Sequence, residues 1–322
     1  MSALSDNQIM VSISCITYNH VSYIRQCIDG FLMQKTNFAF VVLIHDDAST
    51  DGTTEIIREY EAKYPDIIKP IYETENQWIL GRRGSAVFNF PRAKGKYIAL
   101  CEGDDYWTDP YKLQKQVDIL EQNSECMMCC SNGISYSEYT NESQLINPIP
   151  VNSSRYLTTH EVFLEENALI PTCSMCFRKE MQQTMPDFFR EAPVGDRPIR
   201  MWCAINGKIY YHIEPMITYR FGAIGCYTQR VKRNNDYARK IFDGMYVFFD
   251  KFDQFTNYIY HNDVIYMKNR EAYVFFTNTG DFKSIIFAKH LYTYSFMKRN
   301  LIRLKCMIKL IPGIYSIYQR IQ

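Results

Sequence analysis

No Walker-type phosphate loop, G-x-G-x-x-G fingerprint, G-x-S-x-G elbow or H-E-x-x-H helix occurs in these 322 residues. Their absence removes the commonest ATPase, dehydrogenase, serine-hydrolase and zinc-protease chemistries. No run of about eighteen apolar residues appears and no charged-then-apolar leader opens the chain, so neither a spanning helix nor a secretory signal is expected, and the cytoplasm is the expected compartment. Nor is there an excess of charge: the formal net charge of +1 gives no general reason to expect a nucleic-acid partner. Acidic residues do run out locally. None follows Asp281, so the C-terminal end is basic.

The eleven cysteines lack a disulfide framework spacing. Cys126/Cys129 and Cys173/Cys176 have the C-x-x-C form of a zinc ribbon. Both pairs fall in runs that read as strands, where residues three apart point to opposite faces and cannot jointly grip a metal. The cysteines therefore read as small buried hydrophobes of a reducing compartment. The six histidines form no cluster in sequence; His20 and His45 lie beside strand ends, where packing or hydrogen bonding is their ordinary role.

What is present is apolar content of 47%, enough for a sizeable core, on a length that suggests two compact regions. The first part alternates strand and helix signals. VSISCITY (11–18) reads as a strand and 21–34 as a helix by its three-four apolar spacing. FAFVVLIHDD (38–47) reads as a strand, and 49–64 as a turn and an amphipathic helix with a Thr N-cap, ending before Pro65. IIKPIYE, a helix-like SAVFNFPRAK and the strand KYIALCE follow. This order predicts an α/β fold with a mostly parallel central sheet flanked by helices. Ligands of such sheets gather at the carboxyl ends of the strands. Thr17-Tyr18-Asn19, Asp46-Asp47 and Glu102-x-Asp104-Asp105 all stand where a strand stops.

Three acids within four positions repel one another unless a cation or hydrogen-bond donors compensate. Mg²⁺ or Mn²⁺, held by one or two carboxylates and by substrate phosphate oxygens, is the economical compensation. The plain alternative is that Asp104 and Asp105 begin a turn and cap the helix starting near Pro110, where Asp109 has the N-cap position.

Taken in order, SISCITYNH, LIHDDASTDGT, IALCEGDDYWTDPYKLQKQ and GDRPIRMWCAINGKIYYHIEPMITYR resemble the family 2 glycosyltransferases of GT-A fold over roughly residues 10–230. The resemblance implies a Rossmann-like GT-A domain with a C-terminal helical extension outside it. It implies a nucleotide-sugar (donor) half at 1–130, an acceptor-binding and catalytic half at 131–233, and an aromatic-rich, then basic, helical region at 234–322.

By the same resemblance, Tyr18 meets the nucleotide base with Thr17 beside it, and Asp47 accepts a hydrogen bond from the base ring. Glu102, where the family usually has Asp, is expected on the sugar-nucleotide. The ion falls to Asp104 or Asp105, spacing alone not choosing between them. Asp196 matches the carboxylate that takes the proton of the attacking hydroxyl. With base and metal on opposite sides of the anomeric carbon, one displacement inverts it. Asp196 has a structural alternative as the cap of the helix PIRMWCAI, near Pro198. Related sequences often continue Tyr-Arg-x-His, whereas Tyr219-Arg220-Phe221 is followed here by Gly222. Arg220, Tyr227, Gln229 or Arg230 then stand in for the missing histidine at the phosphates. Arg82 and Arg83 are further candidates for base or phosphate, or are simply solvated.

The implied activity is metal-assisted, inverting transfer from a UDP-sugar to a hydroxyl of a glycan or lipid-linked acceptor. Two other readings stand beside it: a donor-binding or membrane-scaffolding protein without turnover, and a nucleotidyltransferase, which would carry a Gly-rich loop near the first strand. The polar stretch from Ser137 to Ser154 is expected to be a loop. The aromatic stripes after Asn234 read as helix-packing core. The basic, acid-free end beginning FMKRNLIRLKCMIK suits either an anionic bilayer surface, as a peripheral contact at the inner face of the cytoplasmic membrane, or a docked terminal helix.

Overall fold

β1 (Ile9–Thr17) is buried along both faces, and its two faces do different work. Val11, Ile13 and Cys15 enter the main apolar core with Ile24, Ile28 and Phe31. Ser12 and Ser14, on the other face, take hydrogen bonds from Gly95 N and Asn89 Nδ2. A period of two thus gives one apolar and one polar buried face. The computed structural model describes residues 9–82, 84–147, 153–165, 168–224, 226–287 and 296–309. It contains two compact units, Met1–Arg190 with Gly195–Cys226, and Glu191–Val194 with Tyr227–Gln322.

The first unit is a ten-stranded sheet with helices. In chain order it runs β1, α1 (Ile24–Leu32), β2 (Ala39–Asp46), α2 (Thr53–Lys63), β3 (Ile68–Tyr72), β4 (Tyr97–Leu100), β5 (Tyr106–Trp107), α3 (Lys112–Gln122), β6 (Cys126–Ser137), β7 (Ser143–Leu145), β8 (Arg155–Leu157), α4 (Thr159–Leu164), β9 (Cys176–Arg178), α5 (Lys179–Thr184), α6 (Asp187–Arg190), α7 (Asp196–Asn206) and β10 (Lys208–Phe221). The strand order is β3-β2-β1-β4-β9-β6-β10-β5, with β7 on β6 and β8 on β10. The first four strands pair in parallel, as the alternating pattern predicts. Beyond β4 the sheet is mixed, because β9 inserts antiparallel between β4 and β6. Pro70 is tolerated in β3 because that strand lies at the edge.

Several local expectations change. α2 begins only at Thr53, after Gly52 in the left-handed region (φ 104°), and has no side-chain cap; the polar residues before it hold the turn after β1 instead. SAVFNFPRAK forms a π turn over Ser85–Asn89 and a 3-10 turn over Phe90–Arg92. The buried Asn89 amide is drawn onto Ser14 Oγ, Cys15 O and Leu43 O, which fixes this segment to the sheet. The TCSMCF run is split into a 3-10 turn (Thr172–Ser174) and β9. The polar stretch after Ser137 doubles back as the β6–β7 hairpin; its positions 148–152 lie outside the described residues. All eleven cysteines are free and buried.

The second unit contains α8 (Tyr227–Arg233), α9 (Asn235–Phe255), α10 (His261–Asn278), α11 (Phe282–Phe287) and α12 (Phe296–Lys309). Its aromatic residues pack between helices: the Phe242 and Phe275 rings stack at 4.5 Å, and Phe248, Phe249 and Phe252 are buried. Gly244 of α9 lies so close to Pro193 that a Cβ would fall 2.5 Å from its ring. Among the described residues no helix is long and apolar enough to cross a membrane. Positions 310–322 of the basic end are outside the described residues.

Candidate active site

The parallel register pairs Thr17 of β1 with Asp46 of β2, so the polar residues after both strands emerge side by side. Asn19 takes the left-handed conformation (φ 55°) that its short amide side chain accommodates. Its turn is then riveted to the loop after β2. Asn19 N donates to Ser49 Oγ, Thr50 N to Asn19 Oδ1, His20 N to Thr53 Oγ1 and Val21 N to Asp51 Oδ2. Burial works to raise the Asp51 pKa, but the Thr53 hydroxyl and the Val21 and Thr53 amides outweigh it and hold the carboxyl below its usual range. The Ser-Thr-Asp-Gly-Thr run is thus a clamp on the first turn. The clamp leaves Tyr18 37% exposed at the strand end, while Thr17 is buried and its Oγ1 has no hydrogen-bond partner among the described residues.

Asp46 is structural: its carboxylate accepts from Ser49 N and Thr54 Oγ1. Asp47, also buried, accepts from the backbone amides of Gln77 (2.5 Å) and Trp78 (3.2 Å), while its own carbonyl takes Asn76 Nδ2. Asp47 therefore organises the loop at 76–82, a partnership with no signal in the sequence. Arg82 is exposed and its guanidinium reaches Gln77 Oε1; Arg83 lies outside the described residues. His45 stacks on Phe88 at 4.3 Å and its pKa is lowered by burial, against the nearby Asp47 and Glu73 charges.

The loop after β4 is drawn across the end of β1 by Cys101 N to Ser14 O and Gly103 N to Ile16 O. Only glycine fits at 103, since a Cβ would lie 2.6 Å from Thr17 Oγ1 and 2.9 Å from His20 Nδ1. This approach sets Gly103 of the acidic loop against Thr17, and ligand atoms of Glu102, Asp104 and Asp105 all lie within 4.8 Å of one another. Asp104 and Asp105 are buried. Asp105 Oδ1 accepts the Arg220 amide at 2.8 Å. Burial pushes the Asp105 carboxyl well above the usual range, the Asp104 and Glu102 charges push it the same way, and the Arg220 amide and the Cys173 thiol pull it back. A converging set of three acids, two of them buried, fits a divalent cation. The helix-capping alternative does not survive, because β5 intervenes and α3 starts at Lys112. There Asp109 serves the turn, accepting from Tyr111 N and pairing with Lys115.

Arg220, expected at the phosphates, lies beneath the acidic loop and is buried. Its guanidinium donates to Asp104 O and Gln26 Oε1 and pairs with Glu138 at 3.4 Å. Tyr227, Gln229 and Arg230 lie on α8 of the second unit.

Asp196 is the first residue of α7, with Gly195 at the N-cap and no side-chain cap bond, so it does not cap the helix. A carboxylate in a first turn is favoured by the helix dipole. One turn on, the buried Arg200 donates to Asp196 Oδ2 at 3.2 Å and to Glu165 Oε1 at 2.7 Å. Arg197 instead faces Glu165, at 4.0 Å. Glu165, held in the left-handed region (φ 50°) at the end of α4, carried no sequence signal. It shares the guanidinium and leaves the Asp196 side chain one-third exposed (33%). Arg200 also reaches Ile170 O, in the segment leading to Cys173.

A glycosyl transferase family 2 model matches residues 12–183, more than half of the chain, and the chain belongs to that family. An uncharacterized protein of Mycobacterium tuberculosis, Rv1520, is 36% identical over 231 residues, covering 69% of this chain and 63% of the relative; the chain thus spans less than two thirds of that relative's length. Among solved structures, S. aureus TarS 1–349 in complex with UDP-GlcNAc superposes with a TM-score of 0.60 at 13% identity, covering 94% of this chain and 82% of TarS. The mannosyltransferase PcManGT of Pyrobaculum calidifontis, in complex with GDP-Man and Mn²⁺, gives 0.54 at 14% identity, covering 95% and 82%. These likenesses define the GT-A glycosyltransferase fold, the fold expected of a member of glycosyl transferase family 2.

Proposed function

We propose that the chain is an inverting, metal-dependent glycosyltransferase that moves a sugar from a UDP-sugar to a hydroxyl of a glycan or lipid-linked acceptor. The observation that carries this is the convergence of three acids, Glu102, Asp104 and Asp105, in a loop packed through Gly103 on Thr17, at the carboxyl ends of parallel strands. In this reading Tyr18 stacks on the base, Asp47 holds the base-side loop and offers its remaining lone pairs, Thr17 lines the same pocket and Glu102 takes a ribose hydroxyl. Asp104 and Asp105 would hold Mn²⁺ or Mg²⁺, which supplies positive charge against the leaving diphosphate.

Asp196 receives the proton of the acceptor hydroxyl while the oxygen forms its bond to the anomeric carbon and the bond to the diphosphate oxygen breaks, with inversion. Arg200, shared with Glu165, orients the carboxylate and leaves one face to the acceptor. Residues 1–130 then serve the donor and 131–233 the acceptor. α12 carries Lys298, Arg299, Arg303, Lys305 and Lys309 and no acid, a composition suited to a peripheral contact with an anionic bilayer bearing the acceptor, at the cytoplasmic face.

Calorimetric titration with UDP and GDP, each with and without Mn²⁺, tests the reading. Metal-dependent binding selective for UDP is expected, followed by turnover of one member of a UDP-sugar panel. GDP selectivity would overturn the base assignment, and no binding of either nucleotide would overturn the donor site. A second reading, donor binding without turnover, draws on the missing histidine after Arg220. It predicts that Asp196→Asn changes nothing measurable, whereas a catalyst loses turnover and keeps donor binding.

A further inference from the structure

The acidic loop contains a problem that its own residues do not solve. Three carboxylates drawn together repel, and a loop free to relax would spread them. One residue from the far end of the first unit's sequence contacts the loop through both its backbone and its side chain. Arg220 of β10 gives its backbone amide to Asp105 Oδ1 and one guanidinium nitrogen to the Asp104 carbonyl, gripping consecutive residues of the loop at two points. Its other nitrogens tie that grip to separate elements: Gln26 of α1 and Glu138 of the β6–β7 turn. Its faces are occupied as well, the guanidinium carbon lying 5.0 Å from the Tyr23 ring centroid and 4.6 Å from that of Tyr106. Two residues on, Gly222 (φ 88°) leaves no room for a Cβ beside the Tyr139 ring, which pins the end of β10. Each of the three nitrogens faces a protein partner and only 7% of the residue is exposed, so the guanidinium is turned into the protein.

We infer that Arg220 is a positioning residue: it does not touch the donor but locks Asp104 and Asp105 in the arrangement that converges on one cation. The inference rests on the metal reading of the acidic loop. An outer partner of this kind acts on metal affinity more than on the nucleotide, and its loss typically weakens binding by about 10–100-fold. Lysine keeps the charge but cannot reproduce the planar fork.

The test titrates the full chain with MnCl₂ in the absence of nucleotide, following free Mn²⁺ by electron paramagnetic resonance, and then titrates UDP at saturating Mn²⁺. Arg220→Lys is expected to weaken Mn²⁺ binding about tenfold or more while UDP affinity at saturating Mn²⁺ stays within about twofold of wild type, and excess Mn²⁺ restores turnover. Gln26→Met, which removes one tether, is expected to show the same pattern at smaller amplitude and gives the readout where the Arg220 variant folds poorly. Unchanged Mn²⁺ affinity in both variants overturns the inference. So does weakened UDP binding that excess Mn²⁺ fails to rescue, which is the signature of a direct phosphate ligand. The metal reading fails separately, if wild type binds no Mn²⁺ or if Asp104→Asn with Asp105→Asn binds it as well as wild type does.

Discussion

The acidic loop after β4 and the carboxylate at the start of α7 are both acidic sites in the first unit, yet they treat negative charge in opposite ways. At the loop, Asp104 and Asp105 are buried side by side, and the Arg220 guanidinium faces the Asp104 carbonyl, the Gln26 amide oxygen and Glu138 and reaches neither carboxylate. At α7, Asp196 is one-third exposed, sits at the favourable end of a helix and faces a buried arginine already shared with Glu165. The first arrangement lacks positive charge where ligand atoms converge. The second is a balanced ion network with one carboxylate face open. Charge deficit suits a cation, and balance suits a carboxylate held ready to accept a proton; the two halves of a glycosyl transfer ask for these different things.

Breaking each site should therefore fail differently. The double change Asp104→Asn with Asp105→Asn is expected to abolish Mn²⁺ binding and lower turnover by about 10³-fold or more, while the melting temperature in EDTA does not fall, since buried repulsion is removed. Asp196→Asn should lower turnover by roughly 10²–10⁴-fold with Mn²⁺ and UDP affinities unchanged; a fall in UDP affinity instead would place Asp196 on the donor.

The remaining tests read stability by urea unfolding. Glu165→Gln leaves the buried Arg200 without its better partner and should cost about 3 kcal/mol; no loss would mean that Asp196 alone balances Arg200. Gly103→Ala forces a Cβ against Thr17 and should cost about 1–3 kcal/mol and weaken Mn²⁺ binding, linking loop packing to the metal site.

The smallest effect is expected away from both sites, at the capping box of α4. The Arg155 hydrogen bonds, opposed by burial and aided by the Thr158 amide and hydroxyl, hold the Glu161 carboxyl down at about 2. A depressed carboxylate contributes stability above its unfolded value, and loses it as pH falls through the folded one. Discounting for partial exposure, Glu161→Gln should cost about 1 kcal/mol above pH ~5, and the difference from wild type should vanish near pH 2. A difference that does not vary with pH would trace the effect to packing.

Much of the donor side was legible in the sequence because it is local. β1, β2 and β4 announce themselves as short apolar runs, and parallel pairing obliges the residues after them to share one edge. The acids of residues 102–105 were visible for the same reason. Asp47 shows where such reading stops: its place beside the strand end was predictable, but its hold on the Gln77 and Trp78 amides thirty residues away was not. Glu165 was invisible, since nothing in its neighbourhood names a partner thirty-five residues away. The SAVFNFPRAK segment is helical as its pattern suggested, but in π and 3-10 form, with Asn89 hydrogen-bonded to two strands.

The sequence by itself determined the α/β alternation, the polar strand ends and the charges they carry, since periodicity and strand polarity depend on neighbours along the chain. Only the tertiary structure decided which charges are compensated. That depends on contacts spanning most of the first unit, such as Arg220 beneath Asp104 and Asp105, and on how far burial removes water from each group. The guanidinium of Arg220, read as a phosphate ligand, faces Asp104, Gln26 and Glu138, and Asp196, the alternative helix cap, is a one-third exposed carboxylate paired with Arg200.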